Sequence, residues 1–148
     1  MRANTKTRYG IRTMMELVRH GPDQALHQKV ISENQDISYK YLDHIIAGLK
    51  SAGLITTVSG KKSGYRLTRS PDNITVYDIY KAFNPHLAVA DCLSYAGVCD
   101  RENKCAARCY WEGLNGVIAE YLKSQTIHDL VQDQLKLDKQ HEGLTYNI

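Results

Sequence analysis

The chain has 148 residues, 43% of them apolar and 24% charged, with 19 Lys and Arg against 16 Asp and Glu. That length is about one domain's worth and can bury a real core, in the proportions of an ordinary soluble globular protein. No stretch nears the roughly 18 apolar residues of a membrane span. The opening MRANTKTRYG has charge but no apolar run behind it, which argues against a membrane partner or a secretory signal and sets the cytoplasm as the expected compartment.

Charge is unevenly spread. Residues 1–70 hold twelve Lys and Arg against five Asp and Glu, a net of +7, whereas residues 71–148 hold seven against eleven, a net of −4. A basic front half points to a polyanion, nucleic acid being the commonest. A solvated basic face without a partner is the plainer alternative, and the pattern within residues 1–70 has to decide.

The stretch RYGIRTMMELVRHG places Ile11, Met14, Met15, Leu17 and Val18 at helical spacing, and Gly21-Pro22 stops it. The methionines read as core filler. LHQKVISEN predicts a short second helix with Leu26, Val30 and Ile31 facing inward. DISYKYLDHIIAGLKSAGL predicts a third, with Ser38 as N-cap, Leu42, Ile45, Ile46 and Leu49 as the buried stripe, and Gly53 in a C-cap position. The few residues from Gln35 to Ile37 join these helices tightly, a helix-turn-helix whose second member can enter a major groove.

LITTVSGKKSGYRLT then reads as strand, turn and strand. A hairpin directly after a recognition helix is a wing, and Lys61 and Lys62 at its tip are placed to touch phosphates or a minor groove. An ordinary solvent-exposed hairpin with edge-protecting lysines is the alternative, but the element order and the local net charge favour DNA. On this reading Ser38, Tyr39, Lys40, Tyr41, Asp43 and His44 lie on or near the outer, N-terminal face of the recognition helix. Lys40 and the tyrosine hydroxyls suit phosphate oxygens. Asp43 and His44 are placed for base edges, with an acid accepting from cytosine N4. Asp43 can instead repel wrong sequences, and His44 can equally be a surface histidine without a role.

SPDNITVYDIYKAF predicts a linker helix with Thr75 as N-cap and Asp78 completing a capping box, Val76, Ile79, Tyr80 and Phe83 on its apolar side, and Pro85 closing it. All four cysteines follow in CLSYAGVCDRENKCAARC, as Cys92, Cys99, Cys105 and Cys109. In a reducing cytosol, clustered thiols are more often metal-binding or redox-active than disulfide staples, with a regulatory disulfide left open. The gaps are wider than zinc knuckles generally use, and a loose loop of thiols suits an object larger than one ion, such as an iron–sulfur cluster. On spacing alone zinc remains a rival. Arg101, Lys104 and Arg108 nearby favour thiolate over thiol. Cys105 and Cys109, at i and i+4, share a helix face, and Cys109 can alternatively be a small buried hydrophobe. No histidine–carboxylate pair accompanies the thiols to make a nucleophile, so no enzyme is expected.

CYWEGLNGVIAEYLKSQ presents Trp111, Leu114, Val117, Ile118, Tyr121 and Leu122 as one long apolar stripe. Such a helix, lying outside a small winged-helix core, has nowhere to bury its stripe except against a second copy, and a homodimer supplies the paired recognition helices that a palindromic operator needs. TIHDLV predicts a short capped turn, and residues from Gln132 onward read as a polar, mobile tail. The expected class is mainly α with a small β-hairpin wing: a winged helix-turn-helix domain over 1–83, a cysteine loop and long dimerisation helix over 84–131, and a flexible tail over 132–148.

These segments together resemble the IscR/NsrR-type (Rrf2-like) transcription regulators, winged-helix dimers that sense iron–sulfur, nitric oxide or redox status. The similarity runs over about residues 2 to 131. It rests on TKTRYGIRTMMELV, on ISYKYLDHIIAGLKSAGLITTVSGKKSGYRLTRSPDNITVYDIYKAF, and on three spaced cysteines before a Trp-containing helix. The resemblance implies Cys92, Cys99 and Cys105 as thiolates for a two-iron or four-iron cluster, and Tyr41 and Asp43 in the base-reading part of the helix. Two departures stand out. Where one branch has a ligating histidine this chain has Arg108, and where another has an acidic residue it has Arg8; arginine is no metal ligand. Cys109 is therefore the candidate fourth ligand, ahead of His86, Asp91 and Glu102. In the wing, Ser59 stands where an arginine is frequent, so minor-groove contact either shifts to Lys61 and Lys62 or is lost. A homodimeric DNA-binding regulator with a cysteine-ligated cluster is thus expected. The alternatives are a metal-free thiol switch on the same scaffold, or a zinc-binding or cysteine-dependent protein that does not bind DNA.

Overall fold

The computed structural model describes residues 3–145. Helices α1 (Thr5–His20), α2 (Gln28–Gln35) and α3 (Tyr39–Ser51) come first, followed by the hairpin β1 (Ile55–Val58) and β2 (Gly64–Leu67). Then come α4 (Val76–Phe83), α5 (Ala106–Ser124) and α6 (Ile127–Thr145), with short 3₁₀ turns at Pro71–Asn73 and Asp91–Leu93. The expected mainly α winged-helix architecture is what forms.

Local chemistry sets the boundaries. The Asn4 side chain accepts from the Thr7 N–H to start α1, and Gly21 ends it at a φ of 129°, open to glycine alone without strain. Between α2 and α3, Asp36 takes the left-handed conformation (φ 51°) and the Ser32 hydroxyl donates to the Ile37 carbonyl at 2.6 Å. Ser38 caps α3 through the Tyr41 N–H. The tight helix-turn-helix is therefore built from a left-handed aspartate and a serine cap, both local devices.

The hairpin pairs antiparallel, Ile55 opposite Leu67 and Val58 opposite Gly64. Leu26 adds a bridge on the other edge of β2, exchanging two hydrogen bonds of 2.9 Å with Tyr65. Gly64 lies so close to the Leu26 backbone that no Cβ fits. This bridge ties the wing to the entrance of α2 and fixes its angle to α3.

One core serves the molecule. Met14, Leu17, Ile31, Leu42, Ile45, Leu49, Leu54, Ile74, Ile79 and Ile127 are all nearly or fully buried in a single cluster. Two expectations change. Val30 is 37% exposed; α2 instead turns Gln28 inward, because that amide finds polar partners on α3. The predicted short turn and flexible tail give way to a 19-residue helix, α6. Thr126 and Asp129 form its capping box, Ile127 and Val131 bury against the core, and Arg19 of α1 pairs with Asp138 at 3.2 Å. Residues 132–145 thus continue the helix, built of good helix formers that need little burial once the first turns are anchored. Residues 146–148 of the predicted tail lie outside the described residues.

Candidate nucleic-acid interface and cysteine loop

The start of α3 presents a polar surface. Ser38, Tyr39, Lys40, Asp43 and His44 are exposed, as the spacing predicts. Tyr41 is half-buried: its ring meets Tyr9 of α1 edge-on at 5.7 Å and His44 at 6.4 Å, so it also packs α3 against α1. Ser59, Lys61 and Lys62 are exposed on the wing turn. Between α3 and the wing runs a groove lined by His27, Gln28, Lys29, Tyr39, Ser59 and Tyr65. Burial pushes the Tyr65 phenol pKa up, and the neighbouring Tyr39 and Asp43 push it the same way, so Tyr65 stays a neutral donor beside that groove. A second hollow beside the wing gathers His20, His27, Lys61, Lys62 and Arg66. His20 and Arg66 come from separate elements and carry no motif, so only the fold adds them to the basic surface.

Gln28 is the residue that sequence periodicity missed. It is 8% exposed, and its Nε2 donates to the Asp43 carboxylate at 2.6 Å and to the Tyr39 carbonyl at 3.2 Å. A glutamine in a short polar helix carries no signal in the sequence; only the approach of α3 makes it a contact.

The cysteines lie along the connection from α4 into α5. Cys92 sits in the 3₁₀ turn, Cys105 is the N-cap of α5, and Cys109 falls in its first turn. All four thiols are free; Cys92, Cys99 and Cys105 are half-buried and Cys109 is exposed. Arg108 fastens the loop. Its side chain is only 14% exposed and donates to the Cys92 carbonyl at 2.6 Å, while pairing with Glu102 at 2.9 Å and Glu112 at 3.0 Å. Glu102 accepts in turn from the Gly97 N–H at 2.8 Å. Asn115 of α5 holds the chain before the cysteines, donating to the Leu87 carbonyl and accepting from the Val89 N–H. Of the predicted weaker ligands, Glu102 pairs with Arg108, His86 meets the Tyr95 ring at 5.2 Å, and Asp91 is exposed next to Cys92. Arg8 is exposed on α1.

The donor set has the chemistry that an iron–sulfur cluster uses, four thiols along one loop and the first turn of α5 with arginine and lysine nearby. Among the described residues, however, no three His, Cys, Asp or Glu side chains converge into a formed metal site.

α5 differs from every other helix. None of its 19 residues is buried, and Tyr110, Trp111, Leu114, Val117 and Tyr121 stand exposed along it. No helix among the described residues is long and apolar enough to cross a membrane.

A family model described as Rrf2, iron-dependent transcriptional regulator, matches residues 3–133. Protein rrf2 of Nitratidesulfovibrio vulgaris is 32% identical over 90% of this chain and 89% of its own length. The HTH-type transcriptional regulator IscR of Xenorhabdus nematophila is 30% identical over 93% of this chain and 84% of its own. Among solved structures, CymR, the global cysteine regulator of B. subtilis, superposes with a TM-score of 0.74 at 27% identity, covering 89% of this chain and 97% of that one. IscR of T. potens superposes with a TM-score of 0.71 at 30% identity, covering 90% and 88%. With the helix-turn-helix, wing and long C-terminal helices in place, the chain belongs to the Rrf2 family of transcriptional regulators, and it is a regulator rather than an enzyme.

Proposed function

We propose that this regulator is a homodimer whose two α3 helices read the half-sites of a palindromic operator, and whose cysteine loop reports iron–sulfur, redox or nitric oxide status to that grip. The observation that carries the proposal is the continuity of loop and helix: the cysteines lead straight into α5, whose apolar side chains stand in solvent. A contiguous apolar face of this kind is what a second copy covers. In the DNA-bound dimer, Lys40, Lys61 and Lys62 neutralise phosphates, Ser59 lies against the backbone at the wing turn, and Ser38, Tyr39, Tyr41, Asp43 and His44 supply the polar face at the bases.

Cys92, Cys99, Cys105 and Cys109 are the residues that would hold the cluster. When bound, it supplies thiolate-ligated iron that reacts with oxidants and nitric oxide. Arg108 and Asn115 orient the loop on α5, so a change in the loop shifts the dimer helix, and the two α3 helices change their spacing. Such coupling requires the two loop states to differ in DNA affinity. The family's description as iron-dependent supports this reading. Protein purified without oxygen is expected to be brown, and Cys92→Ala is expected to lose the visible absorption. Colourless protein with stoichiometric zinc overturns the cluster.

A second reading is favoured by the geometry of the free thiols. Cys109 is exposed and among the described residues no three donors converge, an arrangement that suits a thiol switch without metal. Counting free thiols on metal-free protein before and after peroxide distinguishes it: a loss that tracks operator affinity supports the switch.

A further inference from the structure

We infer that Gln28, which lies outside the base-reading face, sets the operator preference of this regulator by holding the Asp43 carboxylate in one orientation. The inference rests on the proposed reading of α3 as the recognition helix.

A primary amide nitrogen has two N–H donors. On Gln28 both are spent, one on Asp43 Oδ1 at 2.6 Å and one on the Tyr39 carbonyl at 3.2 Å. Tyr39 and Asp43 are four residues apart and therefore share one face of the helix. The amide thus spans the first turn of α3 from below. Because Gln28 is 8% exposed, its amide is largely shielded from water, and a hydrogen bond to a charged group is among the stronger kinds.

The consequence falls on Asp43, which is exposed. An aspartate free on a helix surface samples several rotamers and accepts hydrogen bonds from many directions. With Oδ1 tied to Gln28, the carboxylate turns on a fixed axis and offers Oδ2 to the groove. A fixed acceptor discriminates between base edges: it rewards an amino group such as cytosine N4 at one place and rejects an acceptor there. Gln28 is therefore a positioning residue, acting on the bases through Asp43.

Duplexes selected from a random pool by the full-length wild-type protein provide the probe, together with every single-base-pair variant of the selected half-site. Gln28→Met removes both donors at similar volume. It is expected to change the affinity ratio at one base-pair position by roughly fivefold, leaving the ratios elsewhere and the salt dependence of binding as in the wild type. In an Asp43→Ala background the same change is expected to alter nothing further. A uniform loss at all positions, wild-type ratios throughout, or independent, additive effects of the two substitutions would each overturn the inference. A second measurement does not depend on Gln28→Met folding. The side-chain amide resonances of Gln28 in the wild-type protein are expected to move when Asp43 is changed to Ala, and unmoved resonances overturn the contact itself. If the wild-type protein selects no sequence, the recognition-helix reading fails and this inference with it. If it selects one that Gln28→Met leaves intact, only the inference fails.

Discussion

The ring of Phe83 lies against the Cα of Gly48, so close that no Cβ fits between them. Gly10 borders the same ring from α1, where an added Cβ would stand 2.5 Å from Phe83 Cε2. Phe83 is the last residue of α4 before the cysteine connection, and Gly48 belongs to α3. The final side chain before the cysteine loop is thus wedged between the first helix and the recognition helix, a direct packing link from one functional segment to the other.

Gly48→Ala therefore sets two effects against each other. Alanine is the better helix former by about 1 kcal/mol. Forcing a methyl into a packed contact costs about 1–3 kcal/mol, and the ring already abuts Gly10 of α1. The clash is expected to win, with a net loss of about 1 kcal/mol in urea denaturation. Phe83→Leu, which vacates the ring space, is expected to reduce that loss when combined with Gly48→Ala. A stabilised Gly48→Ala protein counts against the wedge.

The wing lysines act differently from Asp43. Lys61 and Lys62 are exposed at the hairpin tip; in the proposed complex they meet phosphates, which carry no sequence information. Lys61→Ala and Lys62→Ala are each expected to weaken binding to all duplexes alike and to reduce the salt slope by about one unit. Fluorescence anisotropy across a salt series reads both. Sequence-dependent losses would instead place these side chains at base edges.

Arg108 stands where a metal-binding histidine was conceivable and does something else. It joins the Cys92 carbonyl, Glu102 and Glu112 in one network. Arg108→Ala unties the loop from α5 at two points, the Cys92 carbonyl and Glu102. Labelling of Cys92 by a thiol reagent is expected to speed up about tenfold, in keeping with the loss of charge-assisted hydrogen bonds from a partly buried site. Global melting is expected to change little, because the loop adds no side chain to the fully buried core. Unchanged labelling would mean that the network does not hold the loop.

The exposed face of α5 tests the proposed dimer. Val117 and Tyr121 are each 67% exposed in the single chain, so charging them leaves the monomer's own packing intact. Val117→Asp with Tyr121→Glu is expected to give a folded monomer by sedimentation, with the helix content of the parent and much weaker operator binding. Persistence of the dimer would move the interface elsewhere.

Much of this molecule is local chemistry, and that part was legible in the residues. The stripe of Leu42, Ile45, Ile46 and Leu49, the Ser38 cap, the Thr75–Asp78 capping box and the glycine-bearing wing turn each need only neighbours within a few positions. Periodicity and turn chemistry report such neighbours directly. The cysteine cluster was equally plain, because its residues are close in the chain. α6 is not legible beyond its second turn, for the converse reason. Its first apolar residues are informative, but Arg19, which pairs with Asp138, is more than a hundred residues away.

What the tertiary structure decided is which polar side chains are tied down and what they hold. α2 is too short for its own pattern to set its rotation. Gln28 rather than Val30 faces inward because α3 offers a carboxylate and a carbonyl that satisfy both amide donors. A buried amide without such partners would cost free energy comparable to several apolar contacts. The same reasoning covers Arg108 and Asn115: each becomes a fastening only where the fold brings the chain of the cysteine loop within hydrogen-bond reach of α5. Composition and spacing determine the helices, the wing and the presence of a thiol loop. Pairing between distant polar groups, which no periodicity encodes, determines how the recognition helix holds its acid and how the loop is fastened to α5.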